Sequence, residues 1–246
     1  MRRFATMTTL GFLYPGHAAE DDYPTAAGIL GGAADLRVEH TYGEDLHAID
    51  ELLDLGNPDR LSEGASRLRP YAPAAVIWAC TSGSFVYGWD GAQRQADGLA
   101  EAAGVPASST SFAFVRAAAA LDVRKVAIAA SYPEEVAARF VDFLAAGGIE
   151  VLRMSSHGIK TAAEVGTLTP EAVVELATGN DHPEAEAVLV PDTAMRTVAL
   201  VEAVEARLGK PVLTANQVTI WEAMRLAGLP LVHSGLGRLF QAPVVV

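Results

Sequence analysis

Short apolar runs bounded by turn residues alternate along this chain with longer alanine-rich segments whose apolar positions recur at helical spacing. Apolar runs too short for helices read as strands buried on both faces, and the segments between them as crossover helices joining parallel strands. The pattern predicts strands at 9–14, 74–79, 125–130, 150–154, 187–190 and 211–213. Between the third and fourth, PEEVAARFVDFLAAGG carries proline and glutamates in its first turn and glycines after its last, the start and stop signals of a helix. The fold class that follows is α/β, with parallel sheets flanked by helices.

The pattern also repeats. AAVIWACTSGS from Ala74 and EAVLVPDTAMR from Glu186 each run a strand into a turn bearing a hydroxyl. Downstream, GVPASSTSFAFVRAAAALDV from Gly104 and GKPVLTANQVTIWEAMRLAG from Gly209 hold one register for twenty residues, aligning Pro106 with Pro211 and Leu121 with Leu226. Upstream, GFLYPG resembles IAASYPEE and pairs Tyr14-Pro15 with Tyr132-Pro133. Two similar lobes related by a pseudo-twofold axis are the simplest architecture. Residues 1–115 and 222–246 are expected to form the first lobe and 116–221 the second.

The repeat equates Cys80 with Asp192, each just past a strand's carboxyl end. Ligands bind at that edge of a parallel sheet because loops and helix N-termini with unpaired N–H groups converge there. If a helix starts after Cys80, the amides near Thr81, Ser82 and Gly83, with their hydroxyls, form a cradle for a carboxylate or enolate. The same location favours a thiolate; the competing reading is a small buried residue. Tyr132 presents a phenol over the same cleft or packs in the core, and Asp192 acts there with Thr193 or caps a following helix. The six histidines His17, His40, His47, His157, His182 and His233 form no ligand spacing along the chain and most read as surface or loop residues, with His17 set apart because it follows the Tyr14-Pro15 turn on this edge.

Length and charge narrow the function. At 246 residues, half of them hydrophobic, the chain buries a real core as one large domain or two lobes. A net charge of −12 without a basic cluster argues against nucleic acid and anionic membranes as partners. One cysteine makes no intrachain disulfide, and no zinc-ligand spacing occurs, so the cytoplasm is the expected compartment. MRRFATMTTLGFLYPG imitates a signal peptide, but threonines interrupt its apolar stretch and no small-residue cleavage site follows, so it reads as a first strand. No apolar run approaches the roughly 18 residues of a membrane span. GLG at 235–237 lacks the strand–helix context of a dinucleotide site, and no phosphate loop, HExxH or GxSxG occurs.

ACTSGS at 79–84, GFLYPG at 11–16, SYPEEVAARFVDFL at 131–144 and WEAMRLAG at 221–228 resemble the aspartate/glutamate racemase superfamily, in particular its maleate cis–trans isomerase and arylmalonate decarboxylase branch. The resemblance runs nearly end to end. It implies two α/β lobes around a cofactor-free site that a cysteine from each lobe faces. It makes Cys80 the nucleophile of the isomerase branch, where the decarboxylase branch has glycine, and makes Thr81, Ser82 and Tyr132 the binders of a substrate carboxylate. Asp192 departs from the pattern, standing where the second cysteine belongs.

Unperturbed cysteine and aspartate differ by about 4–5 pKa units, which disfavours a symmetric racemase. A carboxylate at 192 also repels a dicarboxylate substrate unless it is protonated or faces an amine, hydroxyl or water. The expected function is a cofactor-independent isomerase acting on a small carboxylate or dicarboxylate through the Cys80 thiolate and a stabilised enediolate, in a homo-oligomer. A decarboxylase in which Cys80 protonates the enediolate is the second reading, and a two-lobed carboxylate-binding protein without turnover is the third.

Overall fold

A computed structural model of the chain describes residues 7–43 and 46–242; the first six residues of the MRRFATMTTLGFLYPG segment lie outside them. The first half runs β1 (Thr9–Pro15), α1 (Asp22–Ile29), β2 (Asp35–Thr41), α2 (Ile49–Leu55), α3 (Pro58–Leu68), β3 (Ala75–Trp78), α4 (Ser82–Phe85), α5 (Gly88–Ala103), β4 (Ala107–Ser109) and α6 (Thr110–Ala120). The second runs β5 (Lys125–Ala130), α7 (Glu134–Ala146), β6 (Glu150–Ser156), α8 (Ala162–Val165), α9 (Pro170–Gly179), β7 (Ala187–Val190), α10 (Val201–Leu208), β8 (Val212–Thr214) and α11 (Ala215–Leu226). The strands form two four-stranded parallel sheets of like order, β2-β1-β3-β4 and β6-β5-β7-β8.

The central strands are apolar because both their faces are covered. β3 and β7 are buried at every position, and each large aliphatic side chain so buried contributes about 1.5–3 kcal/mol. β5 shows how alternation divides the core: Val126, Ile128 and Ala130 enter the cluster shared with the first sheet, while Ala127 and Ala129 enter a second cluster with Val173 and Ala177 of α9. The halves also share helices. α11, which follows the last strand of the second sheet, packs on α6, β3 and β4. There Thr110 and Thr219 hydroxyls lie 2.6 Å apart, and the fully buried Glu222 carboxylate takes Arg116 and Arg225.

The repeat read from the sequence has a structural counterpart. Gly104 and Gly209 both end helices in the left-handed region, each at φ +72°, the C-cap role that glycine fills without a Cβ clash. Ser109 and Thr214 are the N-caps of α6 and α11. The upstream pairing is corrected by two residues. Phe12 pairs with Ile77 and Ile128 with Leu189 at equivalent points of β3 and β7, so Tyr14 corresponds to Ala130 rather than to Tyr132. β1 runs on through Tyr14-Pro15, whereas β5 stops at Ala130.

Two strands escape the apolar-run criterion. β2, DLRVEHT, is an edge strand buried only at its last position, and β4 is the short polar stretch ASS, placed by its pairing with β3.

Candidate active site

In both sheets the chain leaves the first strand toward one edge and the third toward the other, so the loops diverge above β1/β3 and β5/β7 and leave a crevice. Of the residues singled out from the sequence, Cys80, Thr81, Ser82, Tyr132, Asp192 and Thr193 lie just past β3, β5 and β7, at these two switch points. Cys80 lies two residues past β3 and Asp192 two past β7.

Cys80 is 2% exposed. Its Sγ accepts the Gly83 N–H at 3.2 Å, with the Ser82 hydroxyl 3.7 Å away. The expected helix after Cys80 is present as the short α4, and a donated amide hydrogen at sulfur stabilises the thiolate over the thiol. Thr81 is fully buried, and its hydroxyl has no hydrogen-bond partner among the described residues; its carbonyl accepts from Ser111. Tyr23, which the sequence reading passed over, is close enough to feel the Cys80 charge. Burial first, then Asp22 and Cys80, push its phenol well above the ordinary tyrosine value, so it stays a neutral donor. Its hydroxyl likewise has no partner among the described residues.

No helix follows Asp192 directly, so it is not the helix cap weighed above. It is the hub of a turn, with Oδ1 accepting the Ala194 N–H at 2.9 Å and Oδ2 the Ser131 hydroxyl. Across from Oδ2, at 3.8 Å, stands Nε2 of His47. His47 comes from the other half, on the segment entering α2, and is buried. That segment is fastened to the second half by the antiparallel bridge Leu46–Thr161 and by the His47 N–H donating to the Lys160 carbonyl at 2.8 Å. His47 is thus a loop histidine, as expected, but a buried one, because its loop is pinned against the second half. Neither His47 nor Ser131 had a sequence signal of its own, although Ser131 sits in the quoted SYP turn.

The other expected residues have varied surroundings. Tyr132 is buried, packs edge-on to His47 at 4.9 Å, and donates its hydroxyl hydrogen to the Pro191 carbonyl at 2.9 Å. Binding a substrate carboxylate requires that hydrogen to swing away. Tyr14 donates to the Thr193 carbonyl at 2.8 Å and accepts from the Ala19 N–H at 3.0 Å, which ties the halves together. Thr193 is buried, and its carbonyl also accepts from Asn216 at 3.1 Å. Asn216 donates in turn to Asp22, whose buried carboxylate takes the Thr197 and Val198 amides as well.

His17 lies at the surface, 3.0 Å from Glu20 and stacked on His40 at 3.7 Å. Among the described residues, His17, Glu20 and His40 are the group with metal-ligand spacing. Two of them, His17 and Glu20, line with Asp21 and Arg196 a surface cavity of about 760 Å³ that neither Cys80 nor Asp192 lines.

The arrangement supplies a thiol with an amide donor, an unpartnered hydroxyl beside it, and a carboxylate buried at the equivalent point of the second sheet. Such a set can add sulfur to an activated double bond or move a proton at a carbon next to a carboxylate. Among the described residues no helix is long and apolar enough to cross a membrane.

Known proteins of this fold are similar to the chain. The arylmalonate decarboxylase of Bordetella bronchiseptica is 31% identical over 179 residues, covering 72% of this chain and 75% of that protein. A maleate isomerase of Nocardia farcinica is 28% identical over 176 residues, covering 69% and 70%. Among solved structures, a liganded arylmalonate decarboxylase variant, with one glycine changed to cysteine and one cysteine to serine, superposes with TM-score 0.86 at 26% identity, over 97% of this chain and all of that one. A cysteine-to-serine variant of the Nocardia farcinica maleate cis–trans isomerase, carrying a covalent succinylcysteine intermediate, shares the fold with TM-score 0.87 at 22% identity, over 97% and 100%. A sequence profile for arylmalonate decarboxylase matches residues 46–240, and the chain belongs to that family.

Proposed function

We propose that this protein is a cofactor-independent isomerase of a small unsaturated dicarboxylate, with maleate the first substrate to test. The observation that carries this reading is Cys80, buried past β3 with the Gly83 amide on its sulfur. The thiolate adds to one carbon of the double bond, and the electron pair of that bond takes a proton at the other carbon from the Asp192 side. Rotation about the resulting single bond, return of that proton and expulsion of sulfur then give the trans isomer, with no net change in protons or electrons.

The developing enediolate is held by Thr81 and Ser82, with Tyr132 reorienting toward it, and Thr193 completes the wall beside Asp192. Tyr14 supports Thr193 from behind, and His17 stands outside this set. Maleate isomerases at 26–28% identity support the reaction class, and the succinylcysteine adduct of the Nocardia farcinica enzyme is the intermediate such a thiol forms. A cytoplasmic homo-oligomer without nucleic acid or membrane partners completes the proposal, supported by the −12 charge.

The decisive experiment incubates wild type and Cys80→Ala with maleate in D2O. Wild type is expected to form fumarate and, on acid quench, a covalent adduct at Cys80. The variant is expected to lose on the order of a thousandfold or more in turnover. Full turnover by Cys80→Ala would sink the assignment. A decarboxylase is the second reading, favoured by the Bordetella bronchiseptica relative at 31% identity. It requires carbon dioxide release from phenylmalonate, with deuterium gained at the same carbon.

A further inference from the structure

A carboxylate at 192 is an odd group to set before an anionic substrate, and the charges of substrate and Asp192 add in a dry crevice unless something cancels one of them. Among the described residues, the basic side chain within ion-pair reach of Asp192 is His47. We propose that His47 and Asp192 form one proton-sharing pair, in which His47 acts through Asp192 as its positioning partner and proton reserve. This inference rests on the isomerase reading and adds to it the residue that makes Asp192 usable.

The geometry of the imidazole carries the argument. Nδ1 of His47 lies 2.8 Å from the Ile159 carbonyl, and a carbonyl only accepts, so Nδ1 holds a hydrogen. That leaves Nε2 facing Oδ2 of Asp192 at 3.8 Å with both side chains buried. Without a second hydrogen on the ring, two lone-pair atoms would confront each other away from water. A proton on Nε2 turns the confrontation into an ion pair. The hydrogen is placed on the histidine side, because both Asp192 oxygens are already engaged as acceptors, Oδ2 from the Ser131 hydroxyl and Oδ1 from the Ala194 amide.

Two consequences follow for the reaction. The pair is neutral overall, so it does not repel a substrate dianion as a lone carboxylate would. It also stores the proton that the carbon requires: Nε2 hands its hydrogen to Oδ2, Asp192 delivers that one proton to the carbanionic carbon, which leaves a neutral imidazole and a carboxylate, and the elimination step returns the proton by the same route. At 3.8 Å the contact is longer than a hydrogen bond, and transfer needs Oδ2 and Nε2 to close by about 1 Å, as loose contacts in unliganded sites commonly do. The further group facing His47 is Tyr132, whose ring meets the imidazole edge-on and whose hydroxyl hydrogen goes to the Pro191 carbonyl.

The test has two arms on the full-length protein. In the first, protein labelled with 15N-histidine is examined by long-range imidazole NMR at pH 7.5, without substrate. His47 is expected to be doubly protonated in wild type and singly protonated, on Nδ1, in Asp192→Asn. A singly protonated His47 in both proteins overturns the pair. In the second arm, the pH dependence of maleate isomerisation is compared for wild type and His47→Gln, with thermal melts to confirm folding. The variant is expected to lose at least tenfold in kcat with KM within threefold, and its alkaline limb is expected to move toward acid by a unit or more. A purely structural histidine would lower activity with the profile unchanged, and that outcome overturns the inference. If wild type does not turn over maleate while its His47 is doubly protonated, the isomerase reading fails and the pair stands.

Discussion

Thr81 separates folding from binding at a single atom. Its fully buried hydroxyl has no partner among the described residues, so in the free protein it costs stability. Thr81→Val keeps the shape and removes that group, so folding stability is expected to be unchanged or higher by about 1 kcal/mol. A hydrogen bond to a carboxylate contributes about 1.5–3 kcal/mol, so kcat/KM for the substrate is expected to fall by about ten- to a hundredfold. Urea melts and steady-state kinetics on one preparation check both halves of the prediction, and a parallel loss of stability and activity would show Thr81 to be structural. Thr81 and Cys80 were legible in the sequence because both lie in one contiguous turn. His47 was not, because what distinguishes it is the Ile159 carbonyl and the Asp192 carboxylate, groups far away in the chain.

At the scale of elements, the turn carrying Cys80 is held from below. Gln95 of α5 donates to the Gly56 carbonyl at 2.7 Å and to the Gly83 carbonyl at 2.9 Å. Gly56, which ends α2, lies so close that a Cβ there would come 2.2 Å from the Gly83 carbonyl oxygen, which is backbone and cannot yield cheaply. Gly56→Ala is therefore expected to destabilise the protein by about 1–3 kcal/mol and to shift α4. A lower Tm together with a changed rate of Cys80 alkylation by iodoacetamide would show it; an unchanged rate would mean that α4 does not follow Gly56. The central strands were predictable because burial on both faces leaves apolar runs. β2 and β4 were not: both are edge strands without an apolar run, whereas the edge strands β6 and β8 each carry a Val-Leu pair that marks them in the sequence.

Across the whole molecule, Asp22 joins the two halves. It belongs to α1, and its Oδ2 accepts from the Thr197 and Val198 amides and from Asn216. Burial raises its carboxyl above the ordinary value, and the hydrogen bonds from Thr197, Asn216 and Val198 offset this only in part. A carboxyl raised in the folded state binds its proton more tightly there than in the unfolded chain. Stability from this group is therefore present below about pH 4 and is lost as pH rises through the raised folded value. Asp22→Asn removes that titration and can still accept the amides. Its stability relative to wild type is expected to grow between about pH 4 and the point where Asp22 is fully ionised, read from urea melts across that range. Parallel curves for the two proteins would refute it.

The sequence by itself determined the α/β class, the central strands, the repeat in register from Gly104 and Gly209 onward, and the thiol-bearing turn. Each of these is written in neighbouring residues, through the period of burial or the chemistry of one turn. Only the tertiary structure decided that Tyr14 ties the halves together, that Asp192 is the hub of a turn instead of a helix cap, and that His47 stands before it. These features depend on where loops from opposite halves come to rest. A buried polar atom is then defined by the partner it meets, and no local pattern along the chain records that partner.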